Sequence, residues 1–202
     1  MKKLILIMAA VVSFTPSTDT SLLTKKERRY AARYMENSMQ QIFKEIKNMD
    51  ETQWTFTPSD DGWSIAGACE HLLIAEKGFY SLVAEKIIGN EANRKAPEAP
   101  LTDEQVKNII SDRSPARRVK TAPPFEPTGA LANPADFIAQ YKAARKRLMD
   151  FVKNTDVELK DYYWDSPAGR ISAYQWLILA SAHSDRHFDQ MKEVMAESDF
   201  PK

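Results

Sequence analysis

Seven residues near the C-terminus, Ala173, Trp176, Ala180, His183, His187, Gln190 and Val194, follow one another at steps of 3, 4, 3, 4, 3 and 4. Only an α-helix puts residues at that spacing on one face, and a stripe this narrow and this long is the seam a helix turns toward partner helices. Ser172 is suited to cap the start, so the spacing predicts a helix from Ser172 to about Ala196. Three more segments read the same way. Thr24 and Glu27 form a capping-box pattern ahead of Tyr30, Tyr34, Met35, Met39, Ile42 and Ile46, which predicts a helix over Lys25 to Met49. Ser64 precedes a second helix from Ile65 to about Ile88, with Gly89 as its stop. Asn133 and Pro134, an N-cap followed by proline at the first helical position, open a third over Phe137, Ile138, Tyr141, Leu148, Phe151 and Val152 to Asn154. A short extra helix is expected over Thr102 to Asp112. Four long helices with no alternating strand pattern imply an all-α four-helix bundle. The stretch Ser114 to Asn133, with Pro115, Pro123, Pro124, Pro127 and Gly129, reads as a long crossover connection rather than a tight loop.

Ahead of the bundle, Lys2 and Lys3 precede an apolar run from Leu4 to Val12 that is too short to span a bilayer. That pattern predicts a signal peptide over about residues 1–20, export to the periplasm or outside the cell, and no stable membrane span in the processed chain. The bundle domain is then residues 24–198. Basic and acidic residues number 28 each, so no excess positive charge is available for a phosphate backbone and nucleic acid is not an expected partner. The single cysteine, Cys69, cannot form an internal disulfide and is read as a small buried apolar residue.

The chain has only three histidines. His183 and His187 lie one turn apart on the inward face of the last helix. His71 sits on a matching stripe of the second, Ala68, His71, Ala75, Gly78 and Leu82, whose small residues permit close helix approach. If the stripes face each other, three imidazoles converge in an apolar interior and can hold one divalent ion, with positions left open for water or substrate. Zinc is the default; nickel, iron and manganese also accept imidazole. HSDRH is not the zinc-protease pattern, because Ser184 stands where that motif carries its general-base glutamate. Gln190 can orient a ligand or bound water or make a buried polar packing contact, while Asp185, Arg186 and Asp189 fall off the stripe and read as a solvated or inter-helix ion-pair face. Glu70 and Glu76, flanking His71, are acid–base candidates, and no catalytic residue is assigned.

The segments QWTFTPSDDGWSIAGACEHLLIAEK, RKRLMDFVKNT and SPAGRISAYQWLILASAHSDRHFDQM, across roughly Glu27 to Glu197, resemble the DinB-like superfamily, the DinB/YfiT-like proteins. The resemblance implies a four-helix bundle with a long crossover and maps His71, His183 and His187 onto the family's metal-binding triad. Better-understood relatives include thiol-dependent transferases, an isomerase and metal-binding domains of larger enzymes. An exported member would depart from those that use cytoplasmic thiols. The expected function is metal-dependent hydrolysis or transfer on a small-molecule substrate. The alternatives are a non-catalytic metal- or ligand-binding module of the cell envelope, and a homodimer formed through Tyr162, Tyr163 and Trp164.

Overall fold

The computed structural model describes residues 22–58, 62–117 and 120–202. The signal segment expected at residues 1–20 lies outside them. Six α-helices are described: α1 Lys25–Ile46, α2 Glu51–Thr55, α3 Ile65–Ser81, α4 Asp103–Ser111, α5 Pro134–Asn154 and α6 Ala173–Met195. The capping residues read from the sequence do what their chemistry allows. Thr24 and Glu27 close a capping box on α1, Ser64 accepts from the Gly67 amide, Asn133 accepts from the Asp136 amide, and Ser172 closes a box with Gln175. Helix α3 runs on into a π-helical segment, Leu82–Ile87, so its far end stops where the sequence places it but with widened turns.

The bundle is made of α1, α3, α5 and α6. Both α1 and α3 pack against α5 and α6, which sets α1 and α3 across a diagonal, and α4 lies along α6. Helices consecutive in sequence but diagonal in space cannot be joined by tight turns, which is why the connections are long. Among the described residues no helix is long and apolar enough to cross a membrane.

A short hairpin and a short helix differ from the sequence reading. Tyr163–Ser166 (β1) and Gly169–Ser172 (β2) pair antiparallel, Tyr163 opposite Ser172, around the turn at Pro167 and Ala168, with Gly169 at φ 107. The turn was readable and the four-residue strands were not, since so short a hairpin is held by the bundle it leads into: the Ala173 amide donates to the Tyr162 carbonyl at 2.7 Å. The hairpin also alters the apolar surface expected at Tyr162, Tyr163 and Trp164. Tyr162 is buried under the Arg94 guanidinium, and Trp164 is the exposed member. The other element is α2, whose Asp50 and Gln53 form a capping box and whose Trp54 is fully buried.

The apolar core is in two parts, one around Met35, Leu148 and Leu177, the other around Ile42, Trp54, Leu72 and Phe137. All four long helices also contribute to one buried polar group. Arg145 of α5 and Glu76 of α3, 0% and 1% exposed, form a two-pronged ion pair with both contacts at 2.8 Å. Around it, Ser38 of α1 and Ser181 and Ser184 of α6 accept from the guanidinium at 3.5, 3.3 and 2.7 Å. Tyr141 completes the group at 2.8 Å from Ser184 Oγ.

Candidate metal centre

The stripes on α3 and α6 face each other, and the three histidines meet. His183 Nε2 lies 3.1 Å from His71 Nε2 and 3.1 Å from His187 Nε2, and the three candidate ligand atoms all fall within 4.8 Å of one another. Nitrogens held about 2.0–2.1 Å from a tetrahedral zinc stand about 3.3 Å apart, close to the two 3.1 Å separations to His183.

The outer ring nitrogens of His71 and His187 fix their tautomers. His71 Nδ1–H donates to the Phe125 carbonyl at 2.8 Å, and His187 Nδ1–H donates to Gln190 Oε1 at 2.8 Å. A neutral imidazole protonated at Nδ1 has a bare lone pair at Nε2. Two such lone pairs therefore point at His183 Nε2, which can offer one proton to one of them at most, and that arrangement suits a shared cation better than hydrogen bonding. Burial favours the neutral form throughout. It pushes His71 below its ordinary value and His183 well below, and it takes His187 to about 3, with His71 adding to the effect. Trp63 lies against the triad, its ring 5.0 Å from that of His71 and stacked 6.2 Å from that of His187.

The triad borders a cavity of about 940 Å³ lined by α3, α4, α6 and the crossover, which contributes Ala116, Arg117, Lys120, Thr121, Ala122 and Phe125. The crossover thus both walls the cavity and orients His71. Glu70 fastens it down. One carboxylate oxygen accepts from Thr128 N and Oγ1 at 3.0 and 2.7 Å, and the other accepts from Gly129 N at 2.8 Å, where the chain turns at φ 81. Glu76 is bound to Arg145. Neither carboxylate lines the cavity, so both acid–base candidates turn out to have structural roles. Of the residues read as an ion-pair face, Asp185 accepts from Tyr34 and Gln41 of α1, and Asp189 pairs with Lys192. Arg186 departs from that reading: it lines the cavity and donates to the carbonyls of Asp112 and Arg117. Ser184, bound to Arg145 and Tyr141, is no general base, and Cys69 is fully buried. The Phe125 carbonyl left no signal in the sequence, because it depends on the path of a connection 54 residues away.

The Glu70 clamp carries a pH dependence. Burial would raise its carboxyl, but hydrogen bonds from Thr128 and Gly129 outweigh that and hold it below the ordinary glutamate value. A carboxyl depressed in the folded state stabilises fully above its unfolded value of about 4.5, and the stabilisation is lost as pH falls through the folded value. The stability difference between the unaltered chain and Glu70→Gln, measured by urea unfolding, is expected to be constant from pH 8 to 5 and to shrink below pH 4.5. A difference that grows on acidification would refute the clamp.

The sequence profile of the DinB superfamily matches residues 34–191. Among solved structures, the chain is similar to YfiT from Bacillus subtilis, described as "a probable metal-dependent hydrolase with an unusual four-helix bundle topology". The two share 16% identity over 86% of this chain and 88% of that one, with a TM-score of 0.52, a likeness of fold. No curated protein sequence matches the chain.

Proposed function

The chain belongs to the DinB superfamily, and on that premise we propose that it is a metal-dependent hydrolase or transferase acting on a small molecule at His71, His183 and His187. One observation carries the reading: three neutral imidazoles turn their Nε2 atoms to a common point on the wall of a cavity large enough for a substrate. Three protein ligands leave room for exchange, as catalytic sites do and closed structural sites do not. Zinc is the first candidate, with nickel, iron and manganese compatible with the same donors. A divalent ion held there supplies Lewis acidity toward a water or a substrate oxygen.

The chain's own part is positioning. Phe125 and Gln190 hold two of the rings in the ligating tautomer, Trp63 shields them, and the crossover clamped by Glu70 closes one side of the cavity. A module that only sequestered metal would need none of this space.

Turnover on ester, amide and thiol-transfer panels, with each of the four metals loaded in turn, tests the reading. Metal-dependent activity that disappears in a folded His183→Ala variant supports it. Activity that is the same without metal, or in His183→Ala, overturns it.

A further inference from the structure

Among the described residues, the charged side chains lining the cavity are Lys86, Arg113, Arg117, Lys120 and Arg186, with no aspartate or glutamate, in a chain whose acidic and basic residues are equal in number. Arg113 is engaged by Glu193. The other four appear in none of the ion pairs among the described residues. Lys86, Arg117 and Lys120 are exposed, so water screens them. Arg186 is half-buried, its hydrogen bonds run to two backbone carbonyls that orient the guanidinium, and the Asp112 and Glu193 carboxylates attract it without forming an ion pair among the described residues. It follows His183 by three residues on α6 and so sits beside that ligand on the helix surface. Most of the remaining wall is apolar, including Phe79, Leu82, Ile109, Ile110, Trp176 and Leu179, with Ser81, Thr121 and Gln190 among the polar exceptions.

Resting on the reading of the site as metal-dependent, we propose that its substrate is an organic anion with an apolar body. Arg186 receives the carboxylate or phosphate group beside the histidines, and the hydrocarbon part lies on the apolar wall. A cleft with low-dielectric walls and charges of one sign concentrates counter-charged ligands. A guanidinium fork matches a carboxylate or phosphate, and the pairing strengthens out of water. A cationic ligand would be repelled by the same five side chains, and a neutral one would leave the half-buried Arg186 on its two carbonyls with no anionic ligand to offset its desolvation.

Calorimetric titration of the full, metal-stripped chain with octanoate, octyl phosphate, octanamide and octylammonium tests this independently of turnover. Octanoate or octyl phosphate is expected to bind roughly ten- to a hundredfold tighter than octanamide, with octylammonium weakest, and the stronger anion identifies the head group. Arg186→Gln should remove the preference for anions while leaving octanamide unchanged. Arg186 also holds the end of α4, so the exposed Lys86→Gln/Lys120→Gln pair, expected to weaken only the anions by a few-fold, keeps the test valid if Arg186→Gln misfolds. Equal affinities for octanoate, octyl phosphate and octanamide overturn the proposal, as does anion binding that survives Arg186→Gln and is lost in His183→Ala. Uptake of zinc, nickel, iron and manganese measured on the same preparations separates the two readings. Zinc bound without anion preference defeats this inference alone, and anion preference without uptake of any of the four metals defeats the metal-dependent reading alone.

Discussion

Arg145→Met is expected to cost the fold about 3–5 kcal/mol, lowering the thermal midpoint by about 6–20 °C. The guanidinium is wholly out of solvent and its donors are shared among Glu76, Ser38, Ser181 and Ser184, so one side chain ties α5 to each of the other three long helices. Methionine of similar length fills the space but leaves the Glu76 carboxylate buried without its counter-charge and two serines without a donor. Burial already pushes the Glu76 carboxyl up, to about 7, against the pull of Arg145. With the arginine gone it can only rise further, so the variant should bury a neutral acid at neutral pH. The partner change, Glu76→Leu alone, leaves an unpaired guanidinium that cannot shed its charge and should cost at least as much. The double variant Glu76→Leu/Arg145→Met removes both charges and is expected to recover most of the loss, because a buried ion pair gains little over apolar packing once its desolvation is counted. Urea unfolding with an unchanged m-value checks all three. Single variants within 1 kcal/mol of the unaltered chain would mean that the pair does not hold the helices together.

That pair also marks how far the sequence could be read. The four long helices were legible because each repeats its apolar residues at the helical period and announces its start with a cap, as Ser172 and Gln175 do for α6. Arg145 falls between Tyr141 and Leu148 on the buried stripe of α5, where a charge stands out only to a reader who already knows which face is inward. The α2 turn carried a readable signal in the capping box of Asp50 and Gln53, but five residues are too few to show periodicity. At the site, the clustering of the three histidines was legible because two of them share one helix and the third interrupts a stripe of small residues. Its supports were not. Phe125 and the Glu70 clamp depend on where a proline-rich connection passes, and no local pattern encodes that path. Arg186 does lie off the inward stripe, as its spacing says. It reaches the cavity because the cavity extends from the bundle seam across the neighbouring face of α6, under α4 and the crossover.

Loss of metal from His183→Ala is the second large effect expected. His183 Nε2 is the shared neighbour of the other two ligand nitrogens, 3.1 Å from each, so its removal leaves two ligands on different helices and no third donor among the described residues of the cluster. Elemental analysis should find about one divalent ion per chain in the unaltered protein and almost none in the variant. Stability gives a second readout. An ion at a hundred times its dissociation constant adds about 2.7 kcal/mol to the native state, or about 5–11 °C for a chain of this size. That zinc-induced rise should be abolished by chelator and absent in His183→Ala, whatever the metal-free variant's own midpoint. Gln190→Ala should act between the two, weakening zinc by about 10–100-fold, since it frees the His187 ring without removing a donor. If zinc, nickel, iron and manganese all leave the thermal midpoint of the unaltered chain in place, the three imidazoles are not a metal site, and the cavity beside them must bind its ligand through Arg186 and the apolar wall alone.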